Sequence, residues 1–528
     1  MSTGDERPVS DGVSAGTVAS GSARLFWAQV VGNAGVLVAM LLIARALGPS
    51  GRGTIAFITV TSMLLAWFFR LGVTEATVVF AAQRPSARPV LLANILVFAT
   101  TAGCVAAALV CGGLVLAPGA APDLGGAELA ALGASVLAAT LADAGYKFVL
   151  GCSRFRLHAL VTTTTAWMYA GVIAVVWAAF GLTTARAAFA WVATHALRAV
   201  ILFAASALRV GVRPPGLSLL RESMRFGLRA WVGSLADALN YRVDQIVVAV
   251  IASEAVLGIY AVAVNASEVL LYLTGGAATA LLPVIAGSAP GMRAERTLHA
   301  FRSVAVATVA SVIVAAFLGP VLLPLAFGSR FDDSVTPFLL LLPGVLGVVL
   351  QAIFTNALVA SSAPGLSSVG PLAALFVGLT LDFLLIPPFG ASGAAVAAIA
   401  GLGWYFFAPR KGRIAELGEG VQKIAVTVKG GYSPDHIRAY LGVPLEIEFD
   451  RQESGECTNR VVFADLGVSA GLPAHTKTTV RLRPDRAGTF GFACGMNMVH
   501  GTLVVDRADD TASSTAAEPV AVRNLDAR

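Results

Sequence analysis

The stretch VLLANILVFATTAGCVAAALVCGGLVL, residues 90–116, contains no Asp, Glu, Lys, Arg or His. Built as a helix rising about 1.5 Å per residue, it is long enough to cross the roughly 30 Å hydrocarbon core of a bilayer, and it offers water no polar face. Working outward, similar apolar runs recur near residues 24–46, 54–81, 127–150, 158–180, 187–208, 224–251, 255–286, 303–328, 336–360, 367–387 and 391–408. They predict an α-helical polytopic membrane bundle of about twelve helices. The chain of 528 residues is 56% hydrophobic and only 13% charged, with mean hydropathy +0.77. A soluble core cannot absorb that composition.

Lys and Arg gather on alternate connections: Arg84 and Arg88, Arg154 and Arg156, residues 209–225, residues 293–302 and residues 410–413. Positive charge favours the cytoplasmic side, so both termini are expected there in a multi-pass cell-membrane protein. The net charge of +6 is spread along these connections rather than gathered into a stripe, which argues against nucleic acid as a partner. Residues 1–20 lack the basic start and cleavage site of a secretory signal and are expected to be a disordered cytoplasmic tail. The connection RVGVRPPGLSLLRE at residues 209–222 contains Pro-Pro and separates two six-helix lobes, residues 21–210 and 211–409.

Five short motifs punctuate this bundle: Arg45-Ala-Leu-Gly-Pro-Ser-Gly-Arg-Gly53, Asn240-Tyr-Arg-Val-Asp-Gln245, Gly258-Ile-Tyr260, Phe327-Gly-Ser-Arg-Phe331 and Phe389-Gly-Ala-Ser-Gly-Ala-Ala395. In that order and with that span count, the chain resembles the polysaccharide-exporter branch of the multidrug/oligosaccharidyl-lipid/polysaccharide flippase superfamily. The resemblance implies two bundles around a central cavity and alternating access. It also implies an undecaprenyl-pyrophosphate-linked glycan as the substrate, carried through surrounding membrane lipid.

The residues bear on the same task. Ionisable groups within apolar spans are costly and face a cavity or a partner. A pyrophosphate needs cations, and Arg24, Arg70, Lys147, Arg198 and Arg242 are the candidates. Glu75, Asp237, Asp244 and Glu268 would balance them, or bind a coupling H⁺ or Na⁺; Asp143 and Asp382 are further buried acids. The plainer alternatives are static acid–base pairs and snorkelling near helix ends, above all for Arg24, Arg45 and Lys147. A drug or cation antiporter is the rival membrane reading, and the Arg content weighs against it.

Beyond the last span the period changes. Residues 422–428, 444–449, 460–463, 478–482, 489–494 and 502–505 alternate apolar and polar residues between Gly, Pro and Asp turns. They predict a small all-β sandwich over residues 418–506, followed by a disordered tail at 507–528. The loop Cys494-Gly-Met-Asn-Met-Val-His500 offers a thiolate, thioethers and an imidazole, the soft ligand set that selects copper. Its Phe-Xaa-Cys strand end and Gly-Xaa-Leu-Val-Val strand resemble cupredoxins. By that resemblance Cys457, Cys494, Met498 and His500 form the metal site, with His475 and Met496 as spare donors. A Cys457–Cys494 disulfide or plain loop packing remain open alternatives.

A flippase with an appended copper domain is the leading functional reading. A copper-handling or electron-transfer protein whose bundle serves as an anchor or exporter is the second, and a purely structural role the third. No nucleophile elbow, phosphate loop or His-Glu metal helix appears, so an enzyme is not expected. The side of the sandwich rests on span parity. If only one of residues 367–387 and 391–408 crosses, it lies outside. A periplasmic-type alkaline phosphatase fused after Arg528 is therefore expected to be inactive; activity would move the C-terminus to the outer face.

Overall fold

The computed structural model describes residues 15–117, 119, 122–286, 290–360, 369–407, 413–418, 420–429, 431–454, 458–495 and 499–506. The chain divides into a helical unit and a β unit, and each is described by itself.

The helical unit opens with α1, Ala15–Phe69, which is broken at Gly48. There φ is 69° and ψ −170°, a conformation only Gly adopts readily, and Pro49 withholds the next amide. Gln29 and Asn33 line the same cavity as Met63 and Trp67. A straight helix would hold those pairs about 50 Å apart, so the chain folds back at Gly48. α1 begins inside the stretch expected as a tail: no proline lies between Ala15 and the break at Gly48, and extending a formed helix is cheap. The rest of that tail, residues 1–14, lies outside the described residues, as does the tail expected at 507–528.

The expected second span also breaks before its end. Leu71 and Gly72 take positive φ of 43° and 74°, and the helix restarts as α2, Val73–Gln83. A Cβ on Gly72 would stand 2.1 Å from the carbonyl carbon of Gly227, so two backbones touch here where no side chain fits. Next come α3 (Arg88–Leu116), α4 (Gly126–Gly151), α5 (Phe155–Phe180) and α6 (Thr184–Val210). The second lobe holds α7 (Leu217–Ile251), α8 (Glu254–Ala286), α9 (Pro290–Phe327) and α10 (Val335–Ala360). It closes with α11, Val369–Phe407, broken at Gly390 after Pro387 and Pro388.

Among the described residues, nine helical segments are long and apolar enough to cross a membrane. The sequence predicts about twelve. The two broken helices account for part of that difference, and α7 carries too many charges to qualify by apolarity alone. Ser234, Arg242 and Asp244 on α7 instead find partners inside the bundle.

In the β unit, β1 to β11 run Arg413–Ile414, Glu416–Gly418, Val421–Val428, Tyr432–Ser433, His436–Tyr440, Leu445–Arg451, Arg460–Phe463, Val468–Gly471, Lys477–Leu482, Gly488–Cys494 and His500–Asp506. One sheet has the order β1-β5-β11-β10-β7-β8, the other β2-β3-β6-β9 with β4 beside β3. All six predicted strands form, because strict alternation buries one face of each: in β6, Leu445, Ile447 and Phe449 are fully buried. Phe449, Phe463 and Phe492 form an aromatic centre between the sheets, the last two stacked at 4.8 Å. The strand missed most clearly is β5, whose sequence HIRAY is short and polar but pairs in parallel with β11.

The Gly72–Gly227 contact yields a direct test. Gly72→Val must bring branched bulk and an unfavourable φ to a closed contact, and is expected to abolish folded yield in detergent. Gly112→Val, with nothing within 4 Å of its Cβ, is expected to leave yield and melting temperature unchanged.

Candidate functional site

A cavity of about 360 Å³ lies wholly within the first lobe, lined by both arms of α1 and by α4, α5 and α6. Helical spacing builds its wall. Gln29 and Asn33 are four apart on α1, His158, Thr162 and Tyr169 share a face of α5, and Trp191, His195 and Arg198 share a face of α6. Trp191 is T-shaped to Tyr169 at 5.4 Å, and its other neighbour His195 is 3.9 Å away between ring centres. Tyr146 meets His158 at 4.4 Å. Among the described lining residues Asp143 is the one carboxylate and Arg198 the one guanidinium. Arg198 donates weakly to Thr162 Oγ1 at 3.4 Å and lies 5.9 Å from the Tyr146 ring centre. Three buried donors in this wall, Asn33 Nδ2, Trp191 Nε1 and Arg198 Nε, have no hydrogen-bond partner. In an apolar bundle such donors normally find one.

The other predicted cations are committed elsewhere. Arg70 pairs with Glu75 at 3.1 Å and donates to Ser234 Oγ of α7 at 3.0 Å. Arg242 pairs with Glu268 at 2.8 Å. Lys147 sits 5.8 Å from the Tyr146 ring centre without lining the cavity. Arg45 donates to the carbonyls of Leu325 and Ala326. Arg24 and Asp237 fall on α1 and α7, with side chains outside the described residues.

Asp244 accepts from Tyr260 Oη at 2.5 Å and from the amide of Gln245 at 2.8 Å. Asp382 on α11 is 3% exposed, its Oδ1 has no partner, and it lies close enough to Asp244 for the carboxylates to repel. Arg52, 3% exposed, has an unpartnered Nε and lies within Coulomb range of Tyr169 and Arg242.

A second, open groove of about 650 Å³ joins the ends of α2 and α7, lined by Phe80, Arg84, Arg221, Glu222, Arg225 and Phe226. Arg84 clasps Glu222 with two hydrogen bonds, at 2.8 and 3.0 Å. That bonding holds the Glu222 carboxyl below its ordinary range.

In the β unit, Cys494 ends β10, is 2% exposed, and accepts an N–H from Val499 at its sulfur, 3.3 Å away. Its own amide donates to Val499 O at 2.8 Å, closing the loop between β10 and β11. His500 opens β11 opposite Ala493 and is described by its backbone alone. Cys457, Met496 and Met498 lie outside the described residues. His475 is exposed, at a positive φ of 54°. Among the described residues no cluster of three His, Cys, Asp or Glu gathers for a metal.

Comparison with known proteins fits this division. The family model for polysaccharide biosynthesis proteins matches residues 42–336, and that for the cupredoxin-like domain matches residues 396–505. The lipid II flippase MurJ in an inward closed conformation is 14% identical with a TM-score of 0.58, over 74% of this chain and 87% of that one. The MATE multidrug transporter DinF-BH is 16% identical with a TM-score of 0.54, over 77% and 98%. At those identities the likeness is one of fold. A copper binding protein in the apo form is 44% identical over 18% of this chain and 98% of its own, with a TM-score of 0.18. No curated protein sequence matches. The chain belongs to the polysaccharide biosynthesis protein family and carries a cupredoxin-like domain at its C-terminal end.

The Arg70–Glu75 pair, with side chains 9% and 18% exposed, gives the next test. Arg70→Ala strands a buried carboxylate and is expected to cost about 3–5 kcal/mol, read as a lower melting temperature in detergent. The Arg70→Ala/Glu75→Ala double variant is expected to regain part of the loss.

Proposed function

We propose that this member of the polysaccharide biosynthesis protein family moves a lipid-linked oligosaccharide or polysaccharide precursor across the cell membrane by alternating access, without bond chemistry. The observation that carries the reading is the polar, aromatic-walled cavity inside a bundle with a flippase fold. A glycan has no other route through hydrocarbon, whereas an undecaprenyl-type tail can stay in lipid. In the groove beside the Arg84–Glu222 pair, Arg221 and Arg225 are the cations suited to first capture of the pyrophosphate. Arg52 is the best-placed cation to follow it inward, with Arg24 and Lys147 as further candidates, because Arg70 and Arg242 already hold carboxylates and Arg198 lies within Coulomb range of Asp143.

Coupling is assigned to the Asp244–Asp382 pair. Two neighbouring acids, one lacking a partner, gain most from a bound H⁺ or Na⁺. Glu75 and Glu268 are spent on arginines, and Asp237 stays a candidate by position alone. The test is made in cells whose own exporter is deleted. Expression of this chain is expected to restore surface glycan, and Asp382→Asn to cut it at least tenfold with membrane expression unchanged. Wild-type protein that restores nothing, for any lipid-linked glycan supplied, contradicts the reading.

The cupredoxin-like domain is proposed to hold Cu(I), with Cys494 as the thiolate and Cys457, Met498 and His500 completing a soft set. When bound, copper would supply soft-ligand capture or one-electron chemistry. The buried, amide-supported sulfur fits that role, and it is also what favours the second reading of a copper-handling membrane protein. Cys494→Ser in the full chain is expected to weaken Cu(I) binding in chelator competition by at least a hundredfold while leaving glycan export intact. Loss of export together with Cu(I) binding would favour a coupled copper role.

A further inference from the structure

The geometry points to a saccharide subsite in the first-lobe cavity, one that takes one or two uncharged or N-acetylated sugar units rather than the pyrophosphate. This deepens the flippase reading and rests on it. Size comes first. At about 360 Å³ the cavity is near the lower end of small-molecule sites, too small for a long glycan but adequate for its first units.

Chemistry comes second. A sugar ring is amphipathic: its C–H faces lie on aromatic rings, and its edge carries hydroxyls that both donate and accept. The cavity matches both halves. Trp67, Tyr146, Tyr169 and Trp191 supply rings, while Asn33 Nδ2, Trp191 Nε1 and Arg198 Nε are buried donors still lacking acceptors. Asp143 supplies the acceptor that a hydroxyl needs.

Charge comes third. Among the lining residues one carboxylate, Asp143, faces one guanidinium, Arg198, within Coulomb range. Lys147 and the already paired Arg70 and Glu75 lie further within reach of Asp143. A pyrophosphate would meet the Asp143 carboxylate, and a lipophilic cation would meet Arg198. A neutral polyol meets neither repulsion, and its hydroxyls can reach the three donors once side chains of the wall turn toward it. Unpaired donors in a bundle interior cost free energy that a ligand recovers.

The test uses full-length protein in detergent, titrated calorimetrically with N,N′-diacetylchitobiose and, separately, with inorganic diphosphate. Saturable disaccharide binding is expected, weakened at least tenfold by Asn33→Ala and by Arg198→Gln, with diphosphate giving no competing signal. Arg198→Gln keeps hydrogen-bonding capacity and bulk, and retained melting temperature shows that it folds. In proteoliposomes the same variants are expected to lose preference for glycosylated over sugar-free polyprenyl diphosphate. Three results overturn the subsite: no saturable disaccharide binding, binding that survives both substitutions, or diphosphate displacing the sugar. Translocation that persists in wild type under any of these results leaves the flippase reading standing, whereas wild-type protein that translocates no lipid-linked glycan removes that reading itself.

Discussion

An ionisable group inside an apolar bundle has no water to turn to, and every other feature of the helical unit follows from how that constraint is met. Two arginines meet it with carboxylates, Arg70 with Glu75 and Arg242 with Glu268, and Arg70 reaches across to Ser234 on α7. Of these contacts, the one from Arg70 to Ser234 joins elements of the two lobes. The groups left without partners are therefore informative. Asn33, Trp191 and Arg198 line one cavity, Asp382 lies within Coulomb range of Asp244, and Arg52 within Coulomb range of Tyr169 and Arg242.

The spans themselves were legible because a helix in lipid needs only length and apolarity, and residues 90–116 have both. The breaks were less so. Gly48-Pro49 announces its turn, but Leu71 takes a positive φ that its own chemistry disfavours, and only the backbone contact of Gly72 with Gly227 explains it. In the β unit, alternation located β3, β6, β7, β9, β10 and β11, while HIRAY carries too little apolar pattern to reveal a strand held by its neighbour β11.

The site was half legible, for a reason of the same kind. Sequence singles out charges in apolar runs, and so it found Arg198 and Asp143. It cannot say which charges pair, since Arg70 and Glu75 are near in sequence but Arg242 and Glu268 sit on different helices. It also passed over neutral polar residues. Gln29 and Asn33, His158 and Thr162, and Trp191, His195 and Arg198 recur at intervals of three or four, a stripe that helical spacing alone exposes once polar as well as charged residues are counted. Arg52, inside the first motif, is buried just after the fold-back at Gly48, which the motif alone does not reveal.

The central claim is transport of a lipid-linked glycan through the helical unit. Its most direct measurement is protection of a fluorescent polyprenyl-diphosphate disaccharide in proteoliposomes holding only this protein, read by a membrane-impermeant quencher. Transport predicts that quenching passes from the half of the lipid in the outer leaflet toward completion within minutes, and that Arg198→Gln slows it. Quenching that stops at the outer leaflet with wild-type protein, as in protein-free vesicles, would contradict the account.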